Sequence, residues 1–427
     1  MLSSNLFLFL LVSAIILTII VLAILVIIKT TNKGIFLYDS YFIGIAIYTI
    51  GAFLLCSISM QDSELLLLEI SIINFIAVFF IWAIARNVSN SGLKIFSLSS
   101  LESKNKTFAN FSTVFLLLIN LAFVYLVYTR IVQGHFAGAF ALLDIRKTIS
   151  SGEAGYFAPG LIKQIRDIYA PAFIVWLTLC FNSPNRYKYV FVVFAVILFS
   201  MVMGGQRMPI LVLFISTALG FYFKYKSIGK SISSKYIVIF FVALLFILFG
   251  INLLLGRTNE DSGLLESFID LILNITTRIF TTVPGENVHL IDYLQNIDLD
   301  PFSLWLSDLS ILLPGTQEGF SNQFHSLLGG SKQGNAVLGA PLDIYVNAGY
   351  GGLVIVPALA FIFLSFLQRM IISKPNPFSV SIFIVVFCYM PFNYSFYLFL
   401  LNGGLLIVFY ALYNLLIIRK QNHKHEC

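Results

Sequence analysis

Apolar residues come along this chain in long runs separated by short polar stretches, over almost its whole length. A helix that crosses the hydrocarbon of a bilayer needs about 20 mainly apolar residues, so the pattern predicts about eleven transmembrane helices. The expected spans lie near residues 5–28, 39–60, 65–85, 111–131, 168–183 and 188–204. Further spans are expected near 208–223, 236–255, 345–367, 377–391 and 396–418. A break at Pro391 and Asn393 divides an apolar stretch too long for one crossing into the last two. The first run has no Lys or Arg in Met1–Asn5 and extends to Ile28, longer than a signal-peptide core. It is read as a retained first helix.

Basic residues set the orientation, because short loops rich in Lys and Arg stay in the cytoplasm. With the N-terminus outside, the inner connections hold Lys29 and Lys33, then Arg86, Lys94, Lys104 and Lys106, then Arg186 and Lys188. They continue with Lys224, Lys226, Lys230 and Lys235, then Arg369 and Lys374, then Arg419, Lys420 and Lys424. Those are most of the 26 basic residues, so an N-out, C-in layout is expected.

Two long connections then fall outside, 132–167 and 256–344. The second holds eleven of the twenty acidic residues, which makes the extracytoplasmic side the polar one. Connections of this length without structure of their own are uncommon and usually functional. Within it, Leu264, Leu265, Phe268, Ile269, Leu271 and Ile272 recur at helical spacing. That spacing predicts an amphipathic helix lying flat on the membrane.

Composition agrees with the pattern. Hydrophobic residues make up 59% of the 427 and charged residues 11%, against about 25% charged in a soluble domain. The chain cannot clothe a water-facing surface of its own, and 1–427 is expected to be one all-α, multi-pass integral membrane domain. The net charge of +6 then reflects basic cytoplasmic loops rather than a nucleic-acid partner. Cys56, Cys180 and Cys388 lie in apolar runs and Cys427 is the last residue; neither a metal site nor a disulfide framework follows. No internal repeat or inverted symmetry is evident, which weighs against a transporter.

Candidate chemistry concentrates on the outer side. Arg207 follows Gly204-Gly205-Gln206 in a tight turn between two spans. A guanidinium fork there suits a phosphate or diphosphate; an interfacial arginine reaching lipid head groups is the alternative. Arg146, Lys147, Lys163 and Arg166 form a second basic group, and Arg257 and Arg278 a third within the acidic stretch. Solvated loop charge is the plain alternative for each. Apolar residues surround Arg278, so a partner is expected for it.

Glu69 lies inside its span and either lines a cavity or reaches the interface. Asp343 and Asn347 stand at the mouth of the span near 345, beside Gly349, Gly351 and Gly352. Asp343 is either a general base or a helix cap. His325 is the rival base, with His289 further back. There is no phosphate-binding Walker loop, no His-Glu-x-x-His and no Gly-x-Ser-x-Gly, which disfavours ATP hydrolysis, zinc proteolysis and hydrolase-type acyl transfer.

Three features together resemble the Wzy family, the bacterial O-antigen and capsule repeat-unit polymerases. Gly204-Gly205-Gln206-Arg207 looks like that family's Gly-x-Arg turn between consecutive spans. A large late outer loop carries Leu313-Pro314-Gly315 and then a glycine-rich stretch. Asp343-Ile344-Tyr345-Val346-Asn347-Ala348-Gly349, followed by Gly352, is similar to the family's Glu-x-Tyr-x-Asn-x-Gly entry to a late span, with Asp here in place of Glu.

The resemblance implies a fold of the glycosyltransferase C kind, similar to O-antigen ligases, in the bacterial cytoplasmic membrane. It implies transfer of polyprenyl-diphosphate-linked oligosaccharide repeat units at the outer face, building O-antigen, capsule or exopolysaccharide. Donor and acceptor would both be lipid-linked, with no metal, nucleotide or other cofactor, and with a flippase and a chain-length regulator as partners. Arg207 would hold the diphosphate, and Asp343 would be the base or the group that orients the acceptor. The ligases use a histidine near this last region, for which His325 is the candidate here. The alternatives are an O-antigen ligase, a lipid-linked oligosaccharide flippase or other transporter, and an export scaffold.

Overall fold

In the computed structural model the described residues are 35–59, 61–88, 168–180, 184–203, 207–227, 283–294, 300–309, 320–328, 338–372 and 377–390, with single positions at 118, 121, 242, 246 and 250. Nearly all are helical. Apart from those single positions, the spans expected near 5–28, 111–131, 236–255 and 396–418 lie outside the described residues, as do the connection 132–167 and the amphipathic helix expected at 264–272.

The chain falls into two units. The first comprises Met1–Lys94, Ile275–Leu367 and Met390–Leu400; the second comprises Ile95–Asn274, Gln368–Tyr389 and Leu401–Cys427. Among the described residues three helices are long and apolar enough to cross a membrane, Leu37–Ser57, Asp62–Val88 and Ala340–Arg369.

The first unit is built on α1 (Leu37–Ser59) and α2 (Asp62–Val88). Asp39, in the first turn of α1, reaches back to accept the Phe36 backbone N–H at 3.0 Å. It satisfies one of the donors a helix start leaves open, and its negative charge suits that end of the helix dipole. Glu64 does the same for α2, accepting the Gln61 N–H at 3.1 Å in the manner of a capping box.

α1 and α2 run antiparallel. Thr49 donates to the Ser71 carbonyl at 3.4 Å, and Trp82 Nε1 donates to Asp39 Oδ1 at 2.8 Å. Arg86, counted above among loop charges, lies within α2 and is buried. Its Nη2 is 3.7 Å from Asp39 Oδ2, and its guanidinium sits over the Phe36 and Trp82 rings at 5.8 and 5.5 Å. A buried charge is tolerated in this way, with an opposite charge and aromatic faces around it.

The described residues of the stretch 256–344, expected as a loop, include short helices. They are α6 (Val283–Leu294), α7 (Ser303–Leu309) and α8 (Phe320–Leu327), and the late span follows as α9 (Ala340–Ile372). α6 buries Val283, Pro284, Asn287, Val288, Leu290 and Ile291 on one face and leaves His289, Asp292 and Tyr293 exposed. The buried face packs on α1 and α2, and Ser63 donates to Asp292. Leu304, Phe320, Phe324, Leu338 and Leu342 join Tyr48, Leu67 and Ile70 in one core. These described helices are therefore packed against α1 and α2 and the start of α9.

Gly339, at the entry to α9, shows how tight that packing is. A methyl group added there would collide with the Tyr48 ring. Gly339→Ala is expected to destabilise the protein by about 1–3 kcal/mol through overpacking. Thermal unfolding in detergent checks this, and in a Tyr48→Ala background, where the space is open, the same substitution should add little further loss.

The second unit contains α3 (Ala170–Cys180), α4 (Pro184–Met203), α5 (Arg207–Ser227) and α10 (Pro377–Tyr389). α4 and α5 form a hairpin, with Phe194 edge-on to Phe214 at 5.1 Å. α3 and α5 run parallel. Gly220 lies against Val175, where an added methyl would come 3.2 Å from Val175 Cγ1, and Lys224 Nζ donates to the Leu179 carbonyl at 2.8 Å. That lysine satisfies one of the carbonyls left open at the end of α3, where a cation is also favoured. α10 packs on both α3 and α5.

Candidate functional site

The late span is broken where the sequence puts its glycines. Gly349 has φ +63° and ψ −166°, a conformation outside the helix and disfavoured for residues with a Cβ. A short helical segment therefore precedes the break and the membrane-length segment follows it. The second segment runs parallel to α2. Tyr350 meets Glu69, the Leu353 carbonyl accepts from Asn74 Nδ2 at 3.0 Å, and Phe361 stacks on Tyr38 at 5.3 Å.

The short segment carries Asp343 and Asn347 four residues apart, hence on one face. Both are buried, Asp343 5% exposed and Asn347 2%. Asn347 Nδ2 donates to the Asp343 carbonyl at 2.8 Å and to Asp343 Oδ1 at 3.3 Å.

Against this pair lies the start of α7. Trp305 Nε1 donates to Asp343 Oδ1 at 2.9 Å, and the Trp305 backbone N–H donates to Asn347 Oδ1 at 3.1 Å. The Phe302 N–H donates to the Asn347 carbonyl at 3.0 Å. The break at Gly349 takes that carbonyl out of the regular helix ladder, so the loop supplies a donor in its place. Phe302 itself adopts a positive φ of 65°, and its ring lies 5.7 Å from that of Trp305.

The entry is fixed from the other side by α6. Asn287 Oδ1 accepts the Gly339 N–H at 2.9 Å, its amide donates to the Val283 carbonyl, and the Gly339 carbonyl accepts the Asp343 N–H at 2.9 Å. The result is a carboxylate with two N–H donors on one oxygen. Hydrogen bonds of this kind hold the group in one orientation.

Of the residues singled out by sequence, Asp343 and Asn347 are thus brought together. Arg207 is the first residue of α5, in the second unit. His325 falls in the second turn of α8. Arg146, Arg257 and Arg278, with Lys147, Lys163 and Arg166, lie outside the described residues. Glu69 is exposed on α2.

Trp305 and Asn287 escaped the sequence reading, although both orient the entry to α9. Trp305 is one of three tryptophans in the chain and stands in a mixed stretch, Phe302-Ser303-Leu304-Trp305. An indole in such a place needs an acceptor for its N–H, and that was the available signal. Asn287 carried none.

Comparison of the chain with family models, with curated proteins and with solved structures finds no match.

Proposed function

We propose that this chain polymerises polyprenyl-diphosphate-linked oligosaccharide repeat units at the outer face of a bacterial cytoplasmic membrane. The observation that carries the reading is the broken entry to α9. A buried carboxylate at Asp343 is oriented there by Asn347 and Trp305, in the segment that resembles the polymerase motif.

In this reading the acceptor's sugar hydroxyl attacks the anomeric carbon of the donor. The bond from that carbon to the diphosphate oxygen breaks, and polyprenyl diphosphate leaves with the electron pair. The hydroxyl proton passes to the Asp343 carboxylate. Arg207 is the residue that the resemblance assigns to the diphosphate, which a guanidinium fork suits. Fixed positive charge stabilises the negative charge that develops on the leaving group. The other outer arginines, Arg146, Arg257 and Arg278, would serve the same anionic substrate. Asn347 binds on the acceptor side through its neighbour Asp343.

Deletion of the gene tests the reading. Single repeat units should remain on the lipid carrier or envelope, displayed outside, with no long polymer. Units stranded on the cytoplasmic side would indicate a flippase, and full-length polymer left unattached to its final acceptor would indicate a ligase. Either result contradicts the proposal.

A further inference from the structure

A surface stripe of α2 is apolar, with Leu65, Phe80 and Ile84 exposed, yet Glu69 lies on the same stripe. α2 has 27 residues, about 40 Å of helix at 1.5 Å per residue, enough to span hydrocarbon and both head-group layers. Glu69 follows Asp62 by seven residues, about 10 Å down the helix, and lies inside the apolar run that begins at Leu65. A carboxylate at that depth is costly in lipid and faces water or a partner.

A second, independent feature stands at the same level. The break at Gly349 is exposed, and backbone freed from a helix at membrane depth is tolerated only inside protein or beside a water-filled cavity. Tyr350, one residue on, donates its hydroxyl to Glu69 Oε1 at 3.1 Å, so break and carboxylate share one place.

The groups around it have a definite chemistry. Tyr350 is 45% exposed, and the Tyr345 ring stands edge-on to it, 4.9 Å between centroids and 71° between planes. At Gly349 and Gly351 an added methyl group would meet nothing within 4 Å, so the backbone there is open to approach. A carboxylate that accepts from hydroxyls, phenol groups that donate and accept, and aromatic faces for C–H surface together match a sugar ring. Glu69 would repel a diphosphate.

We infer that Glu69, Tyr345 and Tyr350 line a water-filled recess that binds a neutral sugar ring of the lipid-linked oligosaccharide. The recess rests on α2 and α9 crossing the membrane; the identity of its ligand rests on the polymerase reading.

Cysteine labelling tests both parts, in native membranes holding the full chain with its own cysteines replaced. Glu69→Cys and Gly351→Cys are compared with Phe80→Cys and Ile84→Cys, using a charged, water-soluble methanethiosulfonate. Positions 69 and 351 should react at least about tenfold faster, the ratio that a 1.4 kcal/mol difference in access produces. Labelling of Gly351→Cys is then repeated with free glucose, galactose, rhamnose or N-acetylglucosamine, and with inorganic pyrophosphate. At least one sugar should slow the reaction severalfold while pyrophosphate does not, and adding Glu69→Gln should remove that protection.

Labelling at 69 and 351 as slow as at 84 would overturn the recess. Fast labelling that no sugar slows, or that pyrophosphate alone slows, would overturn the sugar site. In cells with active polymerase, Glu69→Gln and Tyr350→Phe should raise the substrate level for half-maximal extension by about tenfold, as loss of a charged hydrogen bond does. A wild-type protein that makes no polymer would defeat the polymerase reading and leave the labelling result standing.

Discussion

Asp343→Ala is expected to abolish chain extension while the protein is still made and still inserted. A general base contributes roughly 10²–10⁴-fold to a rate, so the polymer ladder should collapse to single repeat units. Asp343→Asn separates the two roles the carboxylate can have. An asparagine oxygen still accepts the Trp305 indole N–H, 2.9 Å away in the native protein, but it cannot take a proton from the acceptor. If the carboxylate works as the base, Asp343→Asn should be as inactive as Asp343→Ala. Trp305→Phe keeps an aromatic ring and removes one donor, so it should lie between the wild type and Asp343→Asn. Arg207→Ala should also stop extension, through loss of the diphosphate contact rather than of the base. Polymer length on gels, set against protein level in the membrane, reads all four. Long polymer from Asp343→Asn would reduce the carboxylate to a structural acceptor.

The second large effect belongs to the opposite end of the first unit, where Asp39 and Arg86 are buried together. Arg86→Ala leaves the Asp39 carboxylate inside the bundle with Trp82 Nε1 and the Phe36 N–H as donors but without its positive partner. Breaking a buried pair from one side costs about 3–5 kcal/mol, because the remaining charge is uncompensated. The loss should appear as a large fall in the thermal unfolding temperature in detergent. The double variant Asp39→Asn with Arg86→Met removes both charges and keeps most of the volume. It should be clearly more stable than Arg86→Ala, since well-packed neutral replacements of a buried pair are often neutral. Equal damage from the two would show that guanidinium stacking on Phe36 and Trp82 matters more than the charge.

Hydropathy made the long helices legible, because a span announces itself by an apolar run and little else. The expected spans 39–60, 65–85 and 345–367 fall on α1, α2 and α9, the described helices long and apolar enough to cross a membrane, whereas 188–204, 208–223 and 377–391 fall on the shorter apolar helices α4, α5 and α10. The differences lie at the ends. Polar capping residues such as Asp62 and Glu64 continue α2 beyond its apolar run, and α9 starts at Ala340, in residues whose apolar character serves packing rather than crossing.

Less of the site was legible. The pairing of Asp343 with Asn347 follows from their spacing on one helix, and the break follows from Gly349. What holds them does not, since Trp305 and Asn287 lie 38 and 52 residues away from their partners, Asp343 and Gly339. Those partnerships exist only once α6 and α7 have packed onto the spans, and at 12 and 7 residues these helices are too short to announce themselves as spans do. Arg86 failed differently. At a span end, a basic residue reads as a loop charge, and its burial depends on Asp39, far away in sequence but opposite in the hairpin.

The most direct measurement is polymerisation by the purified chain alone, in lipid vesicles supplied with lipid-linked repeat units and no nucleotide sugar. A ladder of lengthening glycans, with one polyprenyl diphosphate released for each unit joined and no ladder from Asp343→Ala, is the predicted result. Repeat units that keep their length while crossing the bilayer, or that remain unchanged with correctly inserted protein, would contradict the account.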